Sequence, residues 1–539
     1  MISLPRSFGR GVRSASLVAF APAFVAVFFI LPLAALINRA FGGGAESVSA
    51  MLAQTRAWHL LWFTVFQAAL SVLGTLVVGL PIAWLTARVQ MPGLGLLRAL
   101  VFVPFVLPTV VVGVAFRALL GAGGPLSALG LDGTVGAIVA AHVFFNLAVV
   151  VRTVGSVWAG LDTRAVDAAR TLGAGPLRAF ATVTLPALAP AIASAASVVF
   201  LFCATSFGVV LTLSDGTLNT LETEIYRQAV GYFQLPQAVL LSLLQLAMVV
   251  AVMVIVRWLS PARSRLSASH KPLRPRGVGW IPALGVAAVA LVVVLGPVGV
   301  LVYRSLRPTI GGAWSLAGYR ALGSSARGQS AWQVLGYSMV SALWAAIFAL
   351  VVGAVAAVAI SRIRGRLSGV VDAIAMLPLG VSAVTVGFGY LIVLGWLPVE
   401  IANSSLVVPV VQAVIALPLV VRMLLPALRA IDPKLRGAAM TLGARPLRAW
   451  VDVDLRLLLR PLCAAAGFAY AIALGEFGAT SFVAGPDTTT LPVLIGSALS
   501  RPGADNFALA MAASVVLMAV TAAVAGLVEL VRGAAGGEI

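Results

Sequence analysis

Charged side chains are scarce in this sequence. They make up 10% of its 539 residues, whereas hydrophobic residues make up 61%. A soluble chain averages about 25% charged residues, and so few charges cannot cover the surfaces of several water-exposed domains of this total length. The composition therefore excludes an ordinary soluble protein and indicates a polytopic membrane protein.

Cysteine and histidine are also rare. The two cysteines, Cys203 and Cys463, lie inside apolar segments, and the three histidines show neither HxxxH nor HExxH spacing. This pattern excludes a disulfide framework and argues against a metal centre, so we expect neither a metal nor a cofactor on this chain. The net charge of +19 comes from basic residues spread between apolar runs, and we expect no nucleic-acid partner.

Long apolar runs are what the sequence contains instead. A membrane-crossing helix needs about 20 mostly apolar residues. Twelve such segments can be counted, at residues 16–37, 60–87, 97–120, 134–158, 187–213, 236–257, 279–303, 334–361, 369–396, 404–426, 461–484 and 506–531. We expect an all-α polytopic membrane protein of about twelve transmembrane helices, the first retained rather than cleaved as a signal peptide.

Arginine and lysine are unevenly distributed about these segments. If the N-terminus is cytoplasmic, 27 of the 36 basic residues fall on the cytoplasmic side, as the positive-inside rule requires. Both termini are then expected in the cytoplasm, where basic segments face membrane lipid. The proline-containing basic segment 258–277 predicts a linker between a first domain, 1–257, and a second, 278–539.

The two domains are expected to be copies of one another. Segments 167–180 and 437–450 agree at 10 of 14 positions with an offset of 270, and the offset becomes 274 in the earlier helices of each half. Because six helices separate the copies, they share one topology and form a parallel repeat about an axis along the membrane normal. This arrangement is typical of a transporter with its substrate pathway between the halves.

The repeated segment lies in a cytoplasmic loop of each half, about 162–186 and 432–456, and predicts a short surface helix. Asp162 or Thr163 can cap the first copy, and Asp432 can cap the second. Small apolar residues three or four positions apart share one face of each helix, and a glycine ends it. The residues that we assign to this site are Asp167, Ala168, Ala169, Leu172, Gly173, Gly437, Ala438, Ala439, Leu442 and Gly443.

The pattern of these loops resembles the EAA loop of permease subunits in ATP-binding-cassette importers. In the first half it runs from Asp167 through Gly173 to Pro186, and in the second from Gly437 through Gly443, with Arg456 in place of the proline. The resemblance implies a type I importer permease fold in the bacterial inner membrane, in which the loop helix seats in a cleft of the ATPase subunit. It also implies two separate ATPase subunits and an extracytoplasmic substrate-binding protein as partners.

ATP hydrolysis is not expected of this chain itself. The sequence contains no GxxxxGK[ST] phosphate loop, so ATP would be used by the partner subunit. The six-plus-six arrangement also fits an ion-coupled symporter of the major-facilitator type, and a lipid-modifying enzyme is a third possibility. Both alternatives would need ionisable residues that are scarce or scattered here.

Within the importer family, two permease domains fused in one chain of this length resemble the thiamine and ferric-iron permeases. The segment 141–147 and the segment 490–492 look most like the thiamine permease, whereas 221–226 is similar to both groups. We therefore expect thiamine or its phosphates as substrate, with ferric iron as the alternative. His142, inside the first of these segments, is expected to pack between helices rather than to contact substrate.

A possible gate is predicted around Glu476, the one carboxylate that lies well inside a predicted span. Its equivalent in the first half is the uncharged Ser206, and the next residues, Phe477 and Phe207, match across the repeat axis. A charge at such depth has an unfavourable insertion free energy unless it faces a cavity or a partner. These four residues are predicted to line a gate, and a glutamate that caps a loop at the outer helix end is the alternative.

Overall fold

The computed structural model of the protein describes residues 23–41, 55–162, 164–214, 216–259, 280–308, 312–324, 328–362 and 381–533. Within these ranges all the elements of regular secondary structure are helices. The predicted linker 258–277 lies almost entirely outside the described residues, as do the first twelve residues of the predicted span 369–396 and Thr163. The domain boundaries therefore remain predictions.

The helices of the first half follow in the order of the chain. They are α1 (Leu31–Phe41), α2 (Ala57–Arg88), α3 (Leu94–Val106), α4 (Thr109–Leu120), α5 (Val135–Ala159), α6 (Arg164–Thr171), α7 (Pro176–Ala179), α8 (Leu185–Ala204), α9 (Gly208–Leu213), α10 (Leu221–Tyr226) and α11 (Leu235–Leu259). A π-helical turn, Ala26–Ile30, precedes α1, another, Phe180–Thr184, joins α7 to α8, and a third, Arg227–Gly231, follows α10.

The second half repeats this order. Its helices are α12 (Trp280–Leu306), α13 (Ala317–Ala321), α14 (Ala331–Arg362), α15 (Ala383–Leu394), α16 (Val399–Ala402), α17 (Val407–Ala430), α18 (Pro433–Thr441), α19 (Pro446–Ala449), α20 (Arg456–Gly475), α21 (Thr480–Val483), α22 (Leu491–Leu499) and α23 (Ala504–Gly533). The π-helical turn Trp450–Leu455 joins α19 to α20, as its counterpart joins α7 to α8.

Nine helices of the described chain are long and apolar enough to cross a bilayer. They are 57–88, 135–159, 176–204, 235–255, 280–306, 331–361, 407–430, 450–475 and 504–528, and the bent pair α3 and α4 makes a tenth candidate. The all-α polytopic architecture is thus confirmed. The predicted count of twelve is not reached among the described residues, where the helix 23–38 is shorter than these spans.

The third predicted span is not straight. The axes of α3 and α4 meet at 104°, between Val106 and Thr109. Pro108 has no backbone N–H to continue α3, and a residue before proline is driven out of the helical region, as the extended backbone of Leu107 shows. The predicted spans 187–213 and 461–484 are also wrong at their ends, because their helices stop at Ala204 and Gly475 and short helices follow.

The two halves share a three-helix core. In the first half α2 packs along α5 with α8 against both, and in the second α14 packs along α17 with α20 against both. Each long pair meets at a glycine. A Cβ on Gly79 would lie 2.8 Å from Val150 Cγ1, and one on Gly353 would lie 2.6 Å from Val420 Cγ1. Small residues at these equivalent positions allow the close helix approach that stabilises membrane bundles.

The first helices of the halves are exchanged. Helix α1 packs against α15 of the second half, and α12 packs against α3 and α4 of the first. Two polar contacts accompany this exchange: Tyr390 Oη donates to the Phe28 carbonyl at 2.5 Å, and Arg304 donates to the Gly123 carbonyl at 3.3 Å. The halves therefore form one packed unit around their shared axis.

Substitution of Gly353 tests the helix approach. Gly353→Ala is expected to lower the free energy of unfolding by about 1–3 kcal/mol, because α14 and α17 must separate to admit the methyl group. Gly336→Ala in the same helix is the matched control, since its Cβ would meet nothing within 4 Å. Thermal unfolding in detergent compares the two variants, and equal midpoints would contradict the packing argument.

Candidate functional site

The first cytoplasmic loop folds as its local signals predict. The Asp162 carboxylate accepts a hydrogen bond from the Arg164 amide at 2.9 Å at the start of α6. Gly173 follows the helix with a φ of +87°, a conformation that is unfavourable for any residue with a Cβ. Pro176 then begins α7. The helix has eight residues, so it is short, as predicted.

The second loop has the same construction. Asp432 caps α18 by accepting from the Lys434 amide at 2.9 Å, and Pro433 occupies its first position. Gly443 adopts a φ of +89°, and Pro446 begins the next helix. Both predicted loop helices are therefore present, and in both the chain turns back toward a long membrane helix, α8 or α20.

Each loop helix carries an uncovered leucine. Leu172 is 88% exposed and Leu442 is 89% exposed. Ala168 and Ala438 are exposed beside them, whereas Ala169 and Ala439, which were expected on the same face, are half-buried toward the protein. A large apolar side chain so fully exposed at two equivalent positions fits a surface that a partner covers.

The two phenylalanines of the predicted gate meet at the repeat axis. The rings of Phe207 and Phe477 stack with their centroids 5.1 Å apart, and both side chains are buried. Each follows the break at the end of α8 or α20. Tyr226 packs edge-on to Phe207 at 5.2 Å and to Phe482 at 5.5 Å. The structure thus brings together two residues separated by 270 positions into an aromatic constriction.

Glu476 lies beside this constriction but not within a continuous helix, as the sequence analysis had assumed. It ends α20, and its carboxylate accepts from the amides of Ala479 at 2.7 Å and Thr480 at 2.8 Å. The side chain is 7% exposed, and its repeat equivalent Ser206 is equally buried. The carboxylate therefore caps α21 at the start of the segment that holds Phe477.

Matching contacts on both halves hold the broken helix ends. Thr64 Oγ1 accepts from the Leu221 amide at 3.0 Å, and the equivalent Ser338 Oγ accepts from the Leu491 amide at 2.7 Å. These bonds attach the N-terminal ends of α10 and α22 to the long helices α2 and α14. They satisfy amide groups that a helix start leaves without an intrahelical partner.

Two glutamines hold the ends of α8 and α20 from different helices. Gln67 of α2 donates to the Cys203 carbonyl at 2.9 Å, and Gln412 of α17 donates to the Ala473 carbonyl at 2.9 Å. His142 occupies the position equivalent to Gln412, where its Nδ1 lies 3.1 Å from Ser71 Oγ. The ring is 2% exposed, in keeping with its expected role in helix packing.

A second carboxylate was missed by sequence reasoning. Glu222 in α10 is fully buried and accepts from the Gln245 side chain, and it lies near Ser382, which caps α15 of the other half. It lies where α10 packs against α11 and against α15 of the other half. The sequence offers one signal for it: the preceding Thr-Leu pair is the same in both halves, but Glu222 is replaced by Pro492 in the second half.

A cavity of about 720 Å³ lies beyond the constriction, at the end of the bundle away from the loop helices. Both halves line it, and Phe477 and Tyr226 form part of its wall. Three of its lining residues are arginines, Arg117, Arg227 and Arg501, and none of the described residues that line it is acidic. The cavity therefore offers a basic, partly aromatic surface between the halves.

These features define a class of protein. Two repeated helical halves enclose an aromatic constriction and a cavity at their interface, as in a membrane permease. Comparison with known proteins gives the family. Residues 79–265 match the family described as binding-protein-dependent transport system inner membrane component.

Relatives extend the likeness beyond that segment. The thiamine transport system permease protein ThiP of Brucella abortus (strain 2308) is 27% identical over 490 residues, 88% of each chain. ThiP of Escherichia coli (strain K12) is 27% identical over 470 residues, 83% of this chain and 85% of that protein. The molybdenum transport system permease protein ModB of Azotobacter vinelandii is 35% identical over 157 residues, 28% of this chain and 70% of that protein.

The chain belongs to the family of binding-protein-dependent transport system inner membrane components. It is a multi-pass inner-membrane permease of an ATP-binding-cassette importer with two fused permease halves, as the resemblance of its loops implied. This membership decides against the ion-coupled symporter and the lipid-modifying enzyme that composition alone left open. The roles of the individual loop and gate residues remain predictions.

Glu476→Gln tests the capping role of the carboxylate and its link to the gate. An amide side chain can accept from only one of the two backbone amides, so the free energy of unfolding is expected to fall by about 1–3 kcal/mol. Exposed Glu400→Gln is the control. If Glu476 also positions Phe477, uptake at limiting substrate changes while membrane insertion stays normal. Unchanged uptake with unchanged coupled ATP hydrolysis would contradict the gate role.

Proposed function

We propose that this chain forms the translocation pathway of an ATP-driven importer for thiamine and its phosphates. The observation that carries the proposal is the placement of a loop helix and a gate residue at opposite ends of one membrane helix. In each half the loop helix precedes the span 176–204 or 450–475, and Phe207 or Phe477 follows its far end. At 1.5 Å per residue these spans are about 40 Å long.

In this mechanism the partner ATPase subunits act on the loop helices. Leu172 and Leu442 enter clefts of two ATPase subunits, and closure of the ATPase dimer shifts α8 and α20. This movement separates the rings of Phe207 and Phe477 and opens the pathway. The ATP is bound and used by the partner subunits, and this chain holds no cofactor of its own. With both termini cytoplasmic, the cavity faces the extracytoplasmic binding protein.

The choice of substrate rests on the relatives that align over most of the chain, which are named as thiamine permeases. Ferric iron is the alternative of the same class. The basic cavity bears on the form of thiamine that is accepted, because guanidinium groups pair well with phosphate oxygens. Its aromatic wall suits the cationic thiazolium ring of the same molecule.

Cysteine crosslinking tests the docking of the loop helices. In a background with exposed Cys463 replaced by serine, cysteines at Ala168 and Ala438 are expected to crosslink to the ATPase subunits of the assembled complex. These exposed positions are better placed than half-buried Ala169 and Ala439. A cysteine at exposed Ala128, in a loop at the other end of the bundle, is the control. Crosslinks from Ala128 alone would overturn the assignment.

Uptake into proteoliposomes with the binding protein and ATPase tests the substrate. Thiamine and thiamine diphosphate are expected to accumulate, and Arg501→Gln is expected to reduce diphosphate uptake about tenfold, the loss of one charged hydrogen bond, with a smaller effect on thiamine. Arg320→Gln, exposed and away from the cavity lining, is the control. ATP-dependent uptake of ferric iron without thiamine uptake would support the alternative.

A further inference from the structure

The second loop helix is fastened to the membrane helix that follows it by an ion pair. Arg436 of α18 donates from Nε to Asp454 Oδ1 at 2.8 Å, and its Nη2 lies 2.5 Å from the same oxygen. Asp454 belongs to the π-helical turn Trp450–Leu455 that leads directly into α20. The pair therefore joins the loop helix to the start of the helix whose other end carries Glu476 and Phe477.

The environment makes this pair unlike an ordinary surface salt bridge. Asp454 is 0% exposed and the Arg436 side chain 36% exposed. The second carboxylate oxygen of Asp454 is buried and has no hydrogen-bond partner. A buried carboxylate is strongly destabilising once its partner is removed, since it can neither pair nor reach water. Burial of Asp454 therefore keeps Arg436 paired with it, and this pairing keeps α18 next to the π-helical turn.

The first half has no counterpart of this pair. At the offset of 270, Val166 stands where Arg436 does and Thr184 where Asp454 does. Helix α6 contacts the π-helical turn Phe180–Thr184 just as α18 contacts its own turn, so the geometry is repeated while the charges are not. A valine and a threonine cannot form an ion pair, and their contact is nondirectional. The contact between the loop helix and the π-helical turn is therefore fixed by an ion pair in the second half and not in the first.

The connection between the loop helix and the long helix can bend at a π-helical turn, because such turns interrupt the regular hydrogen-bond ladder of a helix. Both halves have this turn at the start of the fifth long helix. Among the described residues, a charge-assisted, directional contact crosses from the loop helix to the turn only in the second half. Such contacts are about twice as strong as neutral hydrogen bonds. Displacement of α18 must then carry the start of α20 with it.

We propose that Arg436 and Asp454 are positioning residues that make the second loop helix move as one body with α20, so that the two ATPase subunits drive the pathway through one stiff and one compliant connection. The proposal rests on the docking role given to the loop helices above. It assigns the pair a function in coupling beyond holding the local fold. Neither residue is among the described residues that line the cavity.

The chain supplies its own matched variants. Arg436→Val combined with Asp454→Thr gives the second half the residues of the first, which already pack in this geometry, so that no buried charge is left alone. Val166→Arg combined with Thr184→Asp attempts the reverse. The control is a second ion pair of the same loop, Arg448 with Asp452 at 3.5 Å, which is solvent-exposed and should contribute little. It is removed by Arg448→Gln with Asp452→Asn.

The experiment measures substrate molecules transported per ATP hydrolysed, with the full chain, its ATPase subunits and its binding protein in proteoliposomes. The Arg436→Val, Asp454→Thr variant is expected to transport at least about threefold less per ATP than the wild type, a coupling change within the usual range for residues remote from both sites. The Arg448→Gln, Asp452→Asn variant is expected to match the wild type. Thermal unfolding of each variant records stability separately.

The outcomes separate the two proposals. Crosslinking from a cysteine at Ala438 is repeated in each background. If the crosslink forms and transport per ATP is unchanged in the Arg436→Val, Asp454→Thr variant, the positioning role is wrong and docking stands. If transport per ATP falls equally in the Arg448, Asp452 control, the effect is one of loop charge and the positioning role is also overturned. If no crosslink forms even in the wild-type background, docking itself is wrong and the positioning role falls with it.

Discussion

Each half of this protein breaks a membrane helix next to the symmetry axis, and the structure depends on how the freed backbone groups are satisfied. In a hydrocarbon environment an unpaired N–H or C=O group costs several kcal/mol, which is why interrupted helices survive only where side chains or cavities replace the lost bonds. Glu476 supplies two acceptors at one break. Thr64 and Ser338 each supply one acceptor to the second short helix after the break, α10 or α22. Without these acceptors a continuous helix would have the lower free energy, because its backbone groups would all be paired. The aromatic pair would then not reach the axis.

Features set by local signals or by the repeat were predictable from sequence. The loop helices depend on Asp432, Pro433 and the glycines that end them, and each acts within a few residues of its own position. The breaks were not predictable, because a window of about 20 apolar residues averages over a dipeptide such as Leu107–Pro108. The position of Glu222 between the halves was not predictable for another reason. Its neighbour Ser382 lies in the other half, and no pattern along the chain predicts that the two residues are close.

The two halves share the same stabilising contacts, but different residues make some of these contacts. A glutamine amide holds the last turn of the fifth long helix in both halves, but it comes from α2 in one and from α17 in the other. Ser341 stands at the position of Gln67 and donates to Gln412 at 2.9 Å, orienting the amide. His142 stands at the position of Gln412 and bonds to Ser71 instead. The requirement at the helix end is one donor, and either neighbouring helix can provide it.

The same reasoning explains how two unequal halves could operate the proposed gate. In the proposed gate Phe207 and Phe477 close the axis as a pair, with ring centroids 5.1 Å apart, so displacement of either ring would open a gap between them. Closure of the proposed gate requires that both helix ends be held, and the contacts from the two glutamines and from Thr64 and Ser338 recur in both halves. The proposed opening movement does not require the two halves to be symmetric. Differences between the halves can accumulate in the loops at the far ends of α8 and α20, where one joint carries a buried ion pair and the other a valine and a threonine.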